Sequence, residues 1–447
     1  MRTIEQLAQA LAEGSTSSRA LVEDSLARIA DPGGEGARAF TRVYAESARA
    51  MADAMDTLRR AGRAPSRWAG IPIGLKDLFD VAGDPTPAGS RALADAPPAT
   101  AHAPVVQRML AAGFVPVGRT NMTEFAFSGL GINPHYGTPL SPWDRAARRI
   151  PGGSSYGTAV AVADGMVAAG LGTDTGGSCR IPAAFCGIVG YKPTARRVPI
   201  DGVLPLAPSL DSVGPLAPSV ACCAVIDAVL AGAPPAAPVP ARLAGLRLAV
   251  PENMVLEGMD ESVSADFDRA LGALAAAGAR IERRRFATLD ELPAVNAKGG
   301  FAASEAYAWH RGLLARKGAE YDPRIRLRIE RGAQMDAADY LDLQAARGRL
   351  IAAFDAETRG FDALVMPACP IVPPRVDALE DEREYNRQNL LILRNTALGN
   401  FLDRCAISLP CHRAGEPPVG LMLMGETMGD TALFGMAAAV ETVLAGP

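Results

Sequence analysis

Helical spacing of apolar residues over 102–112 runs into Gly113 and then into the apolar run Phe114–Val117. Helix, glycine and strand in that order mark an α/β sheet: the glycine ends the helix, and a short apolar run needs neighbours to bury it. The alternation recurs along the chain. Gly70-Ile71-Pro72-Ile73-Gly74-Leu75-Lys76-Asp77 reads as a short apolar strand closing on polar groups. Further on, helices are expected at 219–232, 261–278, 387–402 and 429–444, and strands at Leu246–Val250, Arg280–Arg284, Ala363–Met366, Ala406–Leu409 and Val419–Leu423. The stretch 292–358 is mainly helical and charged, with a break near Tyr321-Asp322-Pro323. At the other end, 3–14, 17–30 and 41–62 read as a polar helical layer.

The Ala/Pro run at 231–240 has a linker's composition, yet strands follow it. It therefore reads as a connection inside one domain covering 1–447: a helical layer over 1–65, a core over 66–220, and the rest of the sheet with pocket helices over 221–447. Hydrophobic residues are 49% and charged residues 21%, which excludes a disordered chain. Net charge is −4, so no basic field for nucleic acid exists. No run of about 18 apolar residues appears, and the opening MRTIEQLAQALAEG lacks an apolar signal region; the expectation is a cytoplasmic chain without a membrane span. The four histidines (His102, His135, His310, His412) form no HExxH, and the seven scattered cysteines form no CxxC. The cysteines read as reduced core thiols, and neither a metal nor a cofactor is expected.

Of the 45 basic residues only four are lysines, Lys76, Lys192, Lys298 and Lys317; the other 41 are arginines. Surface cations in this chain default to arginine, so each lysine raises a question. Arginine keeps its charge at every accessible pH, whereas a buried lysine can lose its proton. Lys76 ends the apolar strand, where burial favours the neutral amine and where α/β sheets place their sites. Lys192, in GYKPT, reads as a structural turn residue.

The stretch 151–194, PGGSSYGTAVAVADGMVAAGLGTDTGGSCRIPAAFCGIVGYKPT, is unusually rich in Gly, Ser and Thr. Ser154 and Ser178 each follow a Gly-Gly pair, and such pairs let backbone approach a ligand closely. Thr175-Gly176-Gly177-Ser178 offers successive unobstructed N–H groups beside a hydroxyl, as an oxyanion hole requires. A serine nucleophile needs a base. One option is a nucleophile elbow, since Gly153-Ser154-Ser155-Tyr156-Gly157 matches G-x-S-x-G around Ser155. That option needs a later histidine. His310 lies in a charged helix and reads as solvated, and His412 lies in a loop. Arg148-Arg149-Ile150-Pro151 also stands where the elbow's strand belongs. The other option is Lys76.

These residues lie within longer motifs: GIPIGLKDLFDVAGDPTPAGS (70–90), GRTNMTEFAFSGLGINPHYGTPLSPWD (118–144), the 151–194 stretch, and ISLPC…PPVGLMLMG (407–425). With them the chain resembles the amidase signature family over most of its length. The resemblance implies a single α/β domain, a large mixed sheet sandwiched by α-helices. It also implies a Ser-cisSer-Lys triad, with Ser178 as nucleophile, Ser154 as bridging serine after a cis peptide, and Lys76 as base. The oxyanion hole falls on the N–H groups of Thr175, Gly176, Gly177 and Ser178, and Asp174, Arg180, Thr173 and Ser155 brace the loop behind it. The implied reaction is hydrolysis of a C–N amide bond in a small carboxamide, releasing ammonia or an amine. The same motifs fit a glutaminase subunit of a tRNA-dependent amidotransferase, or a carbamate- or urea-type hydrolase such as an allophanate or urethane hydrolase. A homodimer through the N-terminal helices is a further expectation by family analogy.

Two positions depart from the family pattern. Tyr156 stands where glycine is usual and Cys179 where Ile or Val is common. Cys179 reads as a small core residue. Tyr156 is placed with Phe125, Phe127 and Ser128 among the candidate pocket residues, together with parts of 296–310 and 395–403.

Overall fold

Strands of four to six residues, apolar in the middle of the sheet and polar at its edges, pair edge to edge into one mixed sheet in the computed structural model, which describes residues 1–445. The first part of the chain forms α1 (Ile4–Glu13), α2 (Ser18–Ala30), α3 (Gly36–Ala39), β1 (Phe40–Val43), α4 (Ala45–Arg60), β2 (Pro72–Lys76), α5 (Pro104–Ala111) and β3 (Val115–Thr120). The Gly-rich stretch forms α6 (Tyr156–Ala163), β4 (Ala169–Asp174), α7 (Arg180–Cys186) and β5 (Val189–Lys192). Next come β6 (Ser212–Ala217), α8 (Val220–Ala231), β7 (Arg247–Pro251), α9 (Glu261–Ala276) and β8 (Arg280–Arg284). A helical stretch of α10 (Ala287–Val295), α11 (Gly300–Lys317), α12 (Pro323–Glu330) and α13 (Ala337–Thr358) leads into β9 (Ala363–Pro367). The chain closes with α14 (Glu382–Phe401), β10 (Ala406–Pro410), β11 (Gly420–Met424) and α15 (Asp430–Leu444).

The strand order is β1-β3-β2-β4-β6-β5-β10-β11-β9-β7-β8. β2 runs parallel to both β3 and β4, and β7 runs parallel to both β8 and β9; the pairs between these groups are antiparallel. Central strands are covered on both faces, so they read as unbroken apolar runs. Alternate side chains enter different cores. Val365, Leu421 and Leu423 pack with Phe267 of α9 and Leu433 of α15. Met366, Met422 and Met424 pack with Phe354 of α13 and Leu398 of α14 on the other face.

Local chemistry sets the element ends. Thr3 and Gln6 form a capping box at the start of α1, and Gly14, at φ 71°, ends it. Pro104 and Pro323 stand in the first turns of α5 and α12, where no N–H is needed. The helix expected over 41–62 is corrected: Phe40–Val43 is the edge strand β1, antiparallel to β3, and only Ala45–Arg60 is helical. Tyr44 N–H donates to Val117 O at 2.8 Å, and that tie to β3 delays the helix.

Candidate active site

Lys76 ends β2, and Thr173 and Asp174 end β4, its parallel neighbour, so the polar ends of two buried strands lie side by side. Close packing explains the glycines here. A Cβ on Gly172 would stand 2.7 Å from Leu216 Cδ1 and 2.8 Å from Ser155 Oγ. Gly177 has φ 136°, and its Cβ would stand 2.1 Å from Thr396 Oγ1.

Lys76 has no solvent exposure and makes no ion pair among the described residues. Its Nζ lies 2.8 Å from Ser154 Oγ and 2.7 Å from Thr173 Oγ1. Burial pushes its pKa down to about 7, against the pull of Cys179, Asp174 and Asp211. The Gly153–Ser154 peptide bond is cis. Gly153 N–H donates to Gly129 O at 2.7 Å, and Ser154 O accepts from Thr123 N–H at 3.2 Å. Ser178 precedes α7; its hydroxyl makes no hydrogen bond to the described residues, Ser154 included, and it faces a cavity of about 710 Å³.

The loop between Asp174 and Arg180 is built around the Asp174 carboxylate. Arg180 donates to it through Nε at 3.0 Å and Nη2 at 2.7 Å, and both side chains are fully buried. Gly177 N–H donates to Oδ1 at 2.8 Å and Cys179 N–H to Oδ2 at 3.0 Å. Burial raises the Asp174 pKa, but the Arg180 charge and these donors outweigh it and hold the carboxyl at about 2. This corrects one expectation: the Gly177 N–H is already committed. The N–H groups of Thr175, Gly176 and Ser178 have no partner among the described residues. α14 braces the same loop. Asn400 donates to Asp174 O at 2.9 Å, Arg180 donates to Asn400 Oδ1 at 2.8 Å and to Thr396 O at 2.7 Å, and Thr396 Oγ1 donates to Gly176 O at 2.7 Å. Removing the carboxylate would leave Arg180 buried without its counter-charge. Asp174→Ala is therefore expected to lower stability by about 3–5 kcal/mol. A urea midpoint equal to the wild type's would show that the pair does not hold the loop.

The cavity walls come from Ala126–Ser128, from Thr175–Ser178, from Asn296–Ala303, and from α12 and α14. Phe127 and Ser128 line it as expected. Ser128 Oγ donates to Asn389 Oδ1 at 2.8 Å. Phe125 and Tyr156 do not line it. Phe125, at φ 51°, is turned inward by the tight turn Glu124–Ala126 and packs edge-on against His310, centroids 4.4 Å apart. Tyr156 heads α6, is fully buried, and donates its hydroxyl to Met122 O at 3.0 Å. Ser155 lies behind β4, with Oγ accepting from Thr173 N–H at 3.4 Å.

Other readings are corrected as well. His310 is fully buried, not solvated: Nδ1 lies 3.0 Å from Tyr321 Oη, and burial pushes its pKa down to about 3. Lys192 is no turn residue; it ends β5 between two strands, with Nζ donating to Pro193 O and Arg404 O, both at 2.8 Å. Lys298 pairs with Asp339 at 2.6 Å, and Lys317 pairs with Asp95. Cys179 is a core residue whose thiol burial pushes up. No group of three or more His, Cys, Asp or Glu side chains among the described residues could hold a metal ion, and no helix is long and apolar enough to cross a membrane.

The cavity-facing arginines of α12 and α14 were not legible in the sequence. Leu327 of α12 and Leu390 of α14 line the same cavity, 54% and 63% exposed.

Comparisons with known proteins point to one family. The sequence profile of the family described as Amidase matches residues 20–434. The chain is 37% identical to 2-amino-5-chloromuconic acid deaminase of Comamonas testosteroni, over 89% of this chain and 86% of that protein. It is 35% identical to a glutamyl-tRNA(Gln) amidotransferase subunit from Chloroflexus aggregans, over 99% and 96%. A crystal structure of an amidase superposes with a TM-score of 0.89 at 31% identity, covering 99% of both chains.

Proposed function

The chain belongs to the amidase signature family and is a C–N hydrolase, and from that premise we propose that it works through an acyl-enzyme on Ser178, with Ser154 as relay and neutral Lys76 as base. One observation carries the reading: a fully buried lysine amine, without a carboxylate partner, lies between the Ser154 and Thr173 hydroxyls. An amine held near neutrality can accept a proton at physiological pH. It takes one from Ser154, which takes one from Ser178. Ser178 Oγ forms a bond to the amide carbonyl carbon, and the N–H groups of Thr175, Gly176 and Ser178 receive the oxyanion. As the C–N bond breaks, the relay returns the proton to the leaving nitrogen. Water, deprotonated through the same relay, then cleaves the ester and restores Ser178.

Acid quench during turnover of a slow amide, followed by peptide mapping, tests the assignment. The acyl mass is expected on the peptide carrying Ser178. An adduct on Ser155 or Cys179 would overturn it. The histidine alternative makes the opposite forecast about His412, whose Nδ1 is engaged with the Val419 backbone at 3.3 Å. His412→Ala is expected to keep kcat/KM within about threefold of wild type; abolished activity would favour the elbow reading around Ser155.

A second reading keeps the chemistry and changes the substrate. The likeness to an amidotransferase component over nearly all of both chains favours glutamine as the ammonia donor. Assay of the lone chain with glutamine beside simple amides, carbamates and ureas separates the two readings.

A further inference from the structure

The cavity in front of Ser178 carries positive charge that its walls do not neutralise. Arg324, Arg328, Arg331 and Arg394 line it, against a single carboxylate, Glu382. Arg324 is held by Asp322 at 3.1 Å. Arg394 donates to Val255 O at 3.1 Å and Asn395 Oδ1 at 3.0 Å, and Arg331 donates to Ala297 O at 2.5 Å. Neither meets a carboxylate among the described residues.

Arg328 goes further. It makes no hydrogen bond and no ion pair with any described residue, and its Nε is buried without a partner. Its guanidinium lies over the face of Phe127, 5.1 Å from ring centroid to guanidinium carbon, and Phe127 lines the same cavity. An unmet buried nitrogen is not peculiar to Arg328, since Arg119 Nη1 and Arg404 Nε also lack a partner, but the most buried arginines each have a carboxylate: Arg119 pairs with Asp77, Arg180 with Asp174 and Arg404 with Asp355. A guanidinium has five N–H donors, and leaving buried donors unmet is costly. Stacking on an aromatic ring fixes the plane of the group and leaves its edge open for two parallel hydrogen bonds to a carboxylate.

We propose that Arg328, supported by Arg394 and Arg331, anchors a carboxylate on the substrate, so that the enzyme prefers amides that also carry a carboxylate group. The inference rests on the amide hydrolysis proposed above. The carboxylate can sit on the acyl side, as in the monoamide of a dicarboxylic acid, or on the amine side, as in an N-acyl amino acid. The cavity, at about 710 Å³, has room for either.

Matched substrates test this. Glutaramate and adipamate are compared with valeramide, and N-acetyl amino acids with N-acetyl alkylamines. In the wild type one carboxylate series is expected to exceed its neutral partner in kcat/KM by about 100-fold. In Arg328→Gln that ratio is expected to collapse toward one through a higher KM, and Arg328→Lys is expected to restore part of it. A wild-type ratio near one, or a ratio unchanged in Arg328→Gln, overturns the proposal. The wild-type ratio needs no variant, so misfolding of Arg328→Gln leaves the test intact. Calorimetric binding of glutarate to Ser178→Ala separates this inference from the proposed function. Selective binding without amide turnover by the wild type would leave the anchor standing and the hydrolytic mechanism overturned. Hydrolysis blind to the carboxylate would do the reverse.

Discussion

Ser178→Ala is expected to lower kcat for amide hydrolysis by about 10⁴–10⁶-fold, the range seen when a triad nucleophile is removed. The size of the effect follows from what is left behind. The free N–H groups of Thr175, Gly176 and Ser178 would still bind the carbonyl oxygen, but no covalent intermediate could form. The substitution also isolates chemistry from stability. The Ser178 hydroxyl makes no hydrogen bond to the described residues and faces the cavity, so alanine removes no internal contact. Melting temperature is expected to stay within about 1 °C of wild type, since changes that touch no internal contact cost little. Activity above about 1% of wild type in a correctly folded variant would remove Ser178 from the mechanism.

Lys76 gives the second large effect, and here activity and stability move in opposite directions. Lys76→Arg is expected to lose at least about 10³-fold in kcat, because a guanidinium keeps its proton and cannot act as base. Lys76→Met loses the base as well, yet is expected to be more stable than the wild type at pH 6. Burial lowers the amine from an ordinary 10.5 to about 7. Below pH 7 folded and unfolded chains both hold the proton, and the folded state bears the full desolvation cost, about 4–5 kcal/mol. Between pH 7 and 10.5 the unfolded chain binds more protons, so wild-type stability rises with pH. Above 10.5 the cost is gone. Methionine is uncharged throughout. Loss of a partner for Ser154 and Thr173 offsets about 1 kcal/mol each, leaving a net gain of about 2–3 kcal/mol at pH 6 that vanishes near pH 9 and turns into a loss of about 1 kcal/mol by pH 10. Urea midpoints at pH 6, 8 and 10 check this, and a Lys76→Met variant weaker than wild type at pH 6 would contradict it. The wild-type kcat/KM is expected to fall as pH drops below about 7, where Lys76 gains its proton.

Features set by nearby residues were legible in the sequence, and those set by distant packing were not. The run Ile71–Leu75 announces a buried strand, so the position of Lys76 at its end follows from adjacent residues. The Gly-Gly pairs before Ser154 and Ser178 likewise mark where backbone comes close to other groups. β6 is harder to see, because Gly214-Pro215 at its centre reads as a break, although Pro215 pairs with Leu171 in the ladder. Phe40–Val43 adjoins a helical pattern, and only its pairing with β3 makes it a strand. His310 lies in a segment rich in charge, and its burial depends on Phe125, from far earlier in the chain, and on Tyr321, just past the end of its own helix. The commitment of Gly177 N–H to Asp174 is a matter of one side-chain rotamer, which spacing does not encode. The cavity arginines stand about 130–200 residues beyond the Gly-rich stretch, and only the tertiary fold brings them to it.

The residues proposed for bond cleavage all come from β2 through the start of α7, whereas the far wall of the cavity comes from 292–401. Inheritance can therefore act on the two stretches separately. Mutations in α11, α12 and the first turns of α14 reshape which molecules enter while leaving the reactive groups untouched, so an ancestral hydrolase could diversify its diet without rebuilding its chemistry. The freedom has a boundary. Thr396 and Asn400, in the last turns of α14, hold the Gly176 carbonyl and Asp174, so a segment transplanted from a relative must carry those two side chains or the recipient loop loses its support.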